Sequence, residues 1–193
     1  MAQPNPFDGA LDRVEQLREY YDPAMERAIR KDIGRLDEMC RRLIAAAPMV
    51  FVATYGADGR GDVSPRGGPP GFVTVLDDQH LAIPDATGNR RLDTLENVVA
   101  TGRIGVIFVI PGRDTTLRVN GRACVTAAPE LLTRLKPVGK PPRTAIVIEA
   151  DEVYAHCPKA FIRSKLWDSD SWPDPATLPT PAEVSVAHQR DPG

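Results

Sequence analysis

Apolar and polar positions alternate differently along three parts of this chain. From Leu11 the apolar residues fall at Leu11, Val14 and Leu17, then Tyr20 and Tyr21, which is helical spacing. Asp22-Pro23 marks a restart, since Asp caps and Pro is tolerated in a first turn. A second amphipathic helix is expected over Met25, Ile29, Ile33, Leu36, Met39 or Cys40, Leu43 and Ile44, ending before Pro48. Its polar face carries Glu26, Arg27, Arg30, Lys31, Arg35, Arg41 and Arg42, read as a solvated surface.

The middle of the chain has the short period of strands. Met49–Tyr55 is nearly continuous in apolar, β-branched and aromatic residues. Turn chemistry over Gly56–Arg60 and a resumption at Gly61–Ser64 make a hairpin. Strands follow at Phe72–Leu76, His80–Ile83, Arg103–Ile110, Thr115–Ala127 and Thr144–Ala150, the last continuing to Tyr154. Gly121 falls inside the long alternating strand, where a glycine signals a bulge or a close approach. Short helices are expected from about Arg91 to Ala100 and over Pro129–Leu135. Six or seven strands with short turns predict a small closed barrel with helices on its outside, a mainly β (α+β) fold. The expected organisation is an N-terminal helical segment packed on the barrel (1–47), the barrel (48–167) and a Pro/Asp-rich tail (168–193).

Composition narrows the function. Lys+Arg is 24 and Asp+Glu 26, a net charge of -2, which disfavours general nucleic-acid binding. No run approaches the ~20 apolar residues that span a bilayer. The polar, early acidic N-terminus is unlike a signal peptide, and three scattered cysteines read as reduced thiols fit a cytoplasmic setting. Cys40, Cys124 and Cys157 form no CxxC pair, and His80, His156 and His188 form no HxxxH or HExxH. Neither a zinc site nor a redox disulfide is expected. No GxGxxG, Walker loop or GxSxG occurs.

Two stretches carry candidate chemistry. In Ile83–Leu95 an apolar strand enters a Pro/Asp/Gly/Asn turn, two arginines follow, and a helix begins. Loop N–H groups, a helix start and guanidiniums suit a phosphate. Asp62–Gly71 adds Ser64 and Arg66 beside a rigid turn. Together they read as a site for one phosphorylated, flat cofactor. The plainer alternative is that Arg90 and Arg91 are solvated surface charge.

The middle of the chain resembles the pyridoxamine 5′-phosphate oxidase-like proteins, the FMN-binding split barrels. The resemblance lies in Phe51-Val52-Ala53-Thr54, Asp58 through Gly67, Ile83-Pro84-Asp85 with Gly88-Asn89-Arg90-Arg91-Leu92, Arg118 through Ala123, and His156 through Trp167. It implies a homodimer with FMN at the subunit interface and a cofactor-binding set of Val63, Ser64, Arg66, Gly67, Pro84, Asp85, Asn89, Arg90, Arg91, Lys165 and Trp167. In that reading Arg66, Arg90 and Arg91 hold the phosphate, with Ser64 and Asn89 as donors. Backbone around Val63, Pro84 and Asp85 lines the isoalloxazine, and Lys165 and Trp167 approach from either subunit. No catalytic acid or base and no metal ligand is implied. The chain departs from the vitamin-forming oxidases in its long N-terminal segment, and their C-terminal substrate-phosphate signature is not matched. The expected function is an FMN-dependent oxidoreductase acting on an unassigned small molecule. The alternatives are a deazaflavin-dependent relative and a non-enzymatic flavin or haem binder; a haem would need one of the three histidines.

Overall fold

The computed structural model describes residues 5–86, 88 and 90–189. Seven antiparallel strands form one sheet in the order β2-β1-β5-β6-β7-β4-β3. They are β1 (Met49–Tyr55), β2 (Gly61–Gly67), β3 (Thr74–Val75), β4 (His80–Pro84), β5 (Arg103–Val109), β6 (Thr116–Thr126) and β7 (Ala145–His156). The helices are α1 (Glu26–Ile29), α2 (Glu38–Ala46), α3 (Asp93–Thr101), α4 (Pro129–Leu132), α5 (Lys159–Ser164) and α6 (Pro181–Gln189). No described helix is long and apolar enough to cross a membrane.

The strands curl around one core. Alternation along β1 buries Val50, Val52 and Thr54 and leaves Phe51, Ala53 and Tyr55 outside. Val106 and Phe108 of β5 stand opposite Val52 and Val50 and continue the inner face. Leu117, Val119, Ile146, Ile148 and Val153 extend it through β6 and β7. Leu36, Cys40 and Ile44 bring α2 into this core, and Val98 brings in α3. Burying such side chains contributes about 1.5–3 kcal/mol each, so the two helices are integral to the fold.

The sheet does not close, contrary to the closed barrel expected from strand count. Its edges are β2 and β3. Pro65 on β2 has no N–H to offer a further strand, and β3 is only two residues long. The chain between them, with Pro69 and Pro70, cannot pair regularly.

The single helix expected from Met25 to Ile44 is also corrected. It is broken between α1 and α2, because Gly34 takes φ +59 and Asp32 turns back to accept from Gly34 N at 3.1 Å. Asp32 also accepts from Val153 N at 2.8 Å, and Ile33 N donates to Val153 O. Here bonds to β7 replace helical ones. Asp37 then caps α2 by accepting from Cys40 N. The first expected helix is a short 3-10 turn, Val14–Glu19, with no buried residue.

Candidate functional site

The alternation of β2 sorts its side chains. Val63 and Pro65 face outward with Ala53 and Phe51, and Val63 is 67 % exposed. Asp62, Ser64 and Arg66 lie on the inner face, opposite Thr54, Val52 and Val50, and all three are half-buried. Gly67 ends the strand and is exposed.

The start of α3 docks on this row. Thr94, 2 % exposed, donates its hydroxyl to Asp62 Oδ2 at 2.8 Å. Ser64 Oγ donates to the same oxygen over a long 3.4 Å. One turn on, Asn97 donates to Thr54 Oγ1 at 3.1 Å. The helix has no side-chain cap of its own, since Leu92 stands at the N-cap. Asp62, reaching across from β2, therefore supplies the negative charge that a helix start favours. Arg91 is held by Asp93, Nε to Oδ2, at 2.9 Å.

Pro84 is buried at the end of β4, and Asp85 follows it half-buried, its N–H donating to Thr144 O at 2.9 Å. Asn89 lies outside the described residues. Arg90 is exposed and adopts φ +66. Among the described residues only Arg90 and Lys165 are non-glycines with positive φ. Such backbone costs about 1–3 kcal/mol for a side-chain-bearing residue and concentrates at ligand sites.

Arg66 is distinctive. It is half-buried on the inner face, and its guanidinium makes no hydrogen bond or ion pair with any described residue. Its Cα lies about 13 Å along the strand from that of Asp62, at ~3.3 Å per residue. Ser64 stands midway between them.

Lys165 and Trp167 are elsewhere in the chain. Lys165 caps α5 in the left-handed conformation at φ +49. Trp167 stacks on Phe161 at 5.9 Å and donates Nε1–H to Arg113 O at 3.1 Å. Trp167 is thereby held at the β5–β6 turn, and among the described residues no side-chain hydrogen bond joins Lys165 or Trp167 to β2 or to the α3 start. Ser64 and Arg66 thus share one face of β2 with Asp62, on which Thr94 docks, whereas Trp167 is held against the β5–β6 turn.

The remaining titratable groups do not gather. Among the described residues no three His, Cys, Asp or Glu side chains are placed to hold a metal ion. His80 Nδ1 is engaged with Asp77 at 2.9 Å, and His156 Nδ1 lies 3.3 Å from Cys157 O. Burial and the neighbouring Asp37 carboxylate push the Cys40 thiol up to about 11. A groove of about 460 Å³ on the outer face, lined by Tyr55, Gly105, Asn120 and Glu152 among others, contains none of the expected cofactor residues. A larger hollow of about 740 Å³ is lined by tail residues alone, Ala176 to His188. What the sequence did not single out is Thr94 and the role of Asp62; a Thr in the first turn of an uncapped helix and an Asp two residues before Ser64 were the available signals.

The profile of the pyridoxamine 5′-phosphate oxidase family matches residues 36–157. The chain belongs to this family. No curated protein matches it. Among solved structures, a protein assigned as a pyridoxamine 5′-phosphate oxidase from Lactobacillus delbrueckii is 25% identical, with a TM-score of 0.50 over 64% of this chain and 98% of its own. HupZ of Group A Streptococcus is 20% identical, with a TM-score of 0.49 over 62% and 92%. The FAD binding protein from Mycobacterium smegmatis is 12% identical, with a TM-score of 0.42 over 64% and 97%. Neither of the last two bears on function. Lys165 and Trp167 fall beyond the family match, whereas Val63 through Arg91 fall within it.

Proposed function

We propose that this family member is an FMN-binding oxidoreductase that works as a homodimer. The observation that carries the reading is Arg66. Among the described residues this half-buried guanidinium has no carboxylate or carbonyl partner, and it shares a strand face with Ser64 and with Asp62, on which the helix after Arg90-Arg91 docks. Partly desolvated charge of this kind is stabilised by an anion, and a phosphate matches the guanidinium fork. Arg90, Arg91 and Asn89 complete the phosphate contacts. The strained backbone at Arg90 supports a binding role for that turn.

The flat part of the cofactor lies along backbone at Val63, Gly67, Pro84 and Asp85. Trp167, with Lys165 near it in sequence, comes from the second subunit; in its own chain Trp167 is held at the β5–β6 turn. The outer face supports pairing with a second copy: Phe51, Tyr55 and Val63 are large apolar groups exposed side by side on β1 and β2. Bound flavin supplies the hydride or electron chemistry, and the protein contributes position and electrostatics. The guanidiniums fix the phosphate end and hold the reactive end against the strand edges. The substrate is a small molecule or electron donor that reaches the flavin edge.

The test is FMN titration of Arg66→Ala and Arg66→Lys beside the wild-type chain, followed by flavin fluorescence. Losing a charge-assisted bond of about 1.5–3 kcal/mol weakens binding about ten- to a hundredfold, with the lysine variant intermediate. Equal affinity in all three would refute the assignment of Arg66.

A further inference from the structure

The chain ahead of α2 is an arm exposed almost throughout. Every residue from 5 to 33 except Gln16 is exposed. The arm is locally ordered all the same: Tyr21 N–H donates to Leu17 O at 3.0 Å, and Arg30 N–H to Glu26 O at 2.9 Å. Its large apolar side chains Phe7, Val14, Tyr20, Tyr21, Met25 and Ile29 are each 64 % exposed or more. With about 150–250 Å² to an aromatic side chain, Phe7, Tyr20 and Tyr21 alone leave roughly 300–500 Å² in water. The aliphatic residues of the arm add to this, as do the exposed Phe51, Tyr55 and Val63 of the outer sheet face. The total reaches the scale of about 800 Å² per partner at which a stable pair forms, and exceeds what a monomer ordinarily shows.

The arm is rooted beside a hollow. Ile33 N–H donates to Val153 O at 3.1 Å, and Asp32 accepts from Val153 N. Asp151 and Glu152, the two residues before Val153, line the outer-face groove of about 460 Å³. The groove arises where Ala53 and Gly105, paired across β1 and β5, bring no large side chain. Tyr55 lines it too and stays 48 % exposed, so the arm starts at the edge of its own groove and leaves it open. Glu152 is bonded to the neutral Asn120 and gives the groove a negative wall. Arg27 and Lys31 of the arm, which make no ion pair among the described residues, carry the opposite charge.

We propose that the arm is exchanged between two copies of this chain, each laying its apolar residues on the outer-face groove of the other. This rests on the homodimer reading above and adds to it what holds the pair together. Tyr55 belongs both to the groove and to the apolar face shared with Phe51 and Val63, so the root of each arm stands at the rim of the pairing surface. Two-fold symmetry then makes the contact twice.

The test co-expresses two differently tagged full-length copies in which the exposed Cys124 and Cys157 are serine. One carries Tyr21→Cys on the arm, the other Ala53→Cys on the groove floor, and a short bismaleimide is added. The expected product is a covalent pair bearing both tags. Beside it, sedimentation of Tyr20→Ser with Tyr21→Ser, two side chains exposed within their own chain, should show a dimer dissociation constant raised about thirtyfold or more, the size of one interface hot spot. A wild-type dimer that gives no such cross-link, or a serine variant that pairs as tightly as the wild type, overturns the exchange and leaves the homodimer standing. A cross-link that forms only when both cysteines are on one chain overturns it as well. A wild-type chain that sediments as a monomer at every concentration overturns the homodimer reading and the exchange with it.

Discussion

Replacing Gly121 with alanine tests how tightly β6 and β7 are joined. The β6–β7 register shifts between Asn120 and Gly121, so Gly121 sits at a bulge. A Cβ added there would lie 2.0 Å from the Glu149 carbonyl oxygen, 3.0 Å from its carbon and 3.1 Å from Asp151 N. All three are backbone atoms, so no rotamer change relieves the overlap. Either β7 moves away, or the ladder opens on both sides of the bulge. Overpacking costs about 1–3 kcal/mol, and two ladder bonds add about 1 kcal/mol each, for a total of about 3–5 kcal/mol. Against a domain stability of about 5–15 kcal/mol this is a large fraction. For a chain of this size the expected fall in Tm is about 6–20 °C, at roughly 2–4 °C per kcal/mol. Thermal melts followed by circular dichroism, with a urea midpoint alongside, measure it. Gly61→Ala is the control: nothing stands within 4 Å of its added Cβ, so stability stays within about 0.5 kcal/mol. A Gly121→Ala melt within 2 °C or so of the wild type would refute the reasoning, since at roughly 2–4 °C per kcal/mol that is less than one ladder bond.

Three further outcomes follow from single groups. Native thiol titration with a disulfide reagent at neutral pH should modify Cys124 and Cys157, which are exposed, and leave Cys40 unmodified, its thiol buried and pushed up to about 11; rapid reaction of all three would contradict the burial of α2. Asp37→Ala should lower stability by about 1 kcal/mol in urea melts, the usual worth of an N-cap. The Cys40 N–H holds the Asp37 carboxyl below its usual value, so the ionised cap contributes fully at neutral pH and is lost as pH falls through that lowered folded-state value; the alanine deficit should shrink in acid, and a deficit that grows there would reverse the sign. Arg66→Ala should leave Tm within about 2 °C of the wild type, because its side chain has no polar partner among the described residues; a larger shift would mean Arg66 serves the fold.

The strands were legible because their side chains alternate against one core. Met49–Tyr55, His80–Pro84 and Thr116–Thr126 lie where apolar alternation and turn residues placed them, and Gly121 does mark a bulge. The broken N-terminal helix was not legible. Its apolar positions at Ile29, Ile33 and Leu36 keep helical spacing, but Asp32 and Ile33 bond to Val153, a partner 120 residues away in sequence that periodicity cannot reveal. Closure was likewise a long-range matter, decided by the shortness of β3 and by Pro65 on the β2 edge. α6 was hidden in a Pro-rich tail, although Thr180 and Glu183 form the reciprocal cap that starts it. At the site, the sequence pointed to arginines and Ser64 as single residues. It could not show that Thr94 would bind Asp62 across 32 positions, or that Trp167 would be held by Arg113.

The central claim is that this protein holds a phosphorylated flavin. The most direct measurement is the absorption spectrum of the purified protein, after incubation with slight excess FMN and desalting. Retained bands near ~375 and ~450 nm, at about one flavin per chain, are the predicted result. Protein that leaves the column colourless, with no change in FMN fluorescence on mixing, would contradict it.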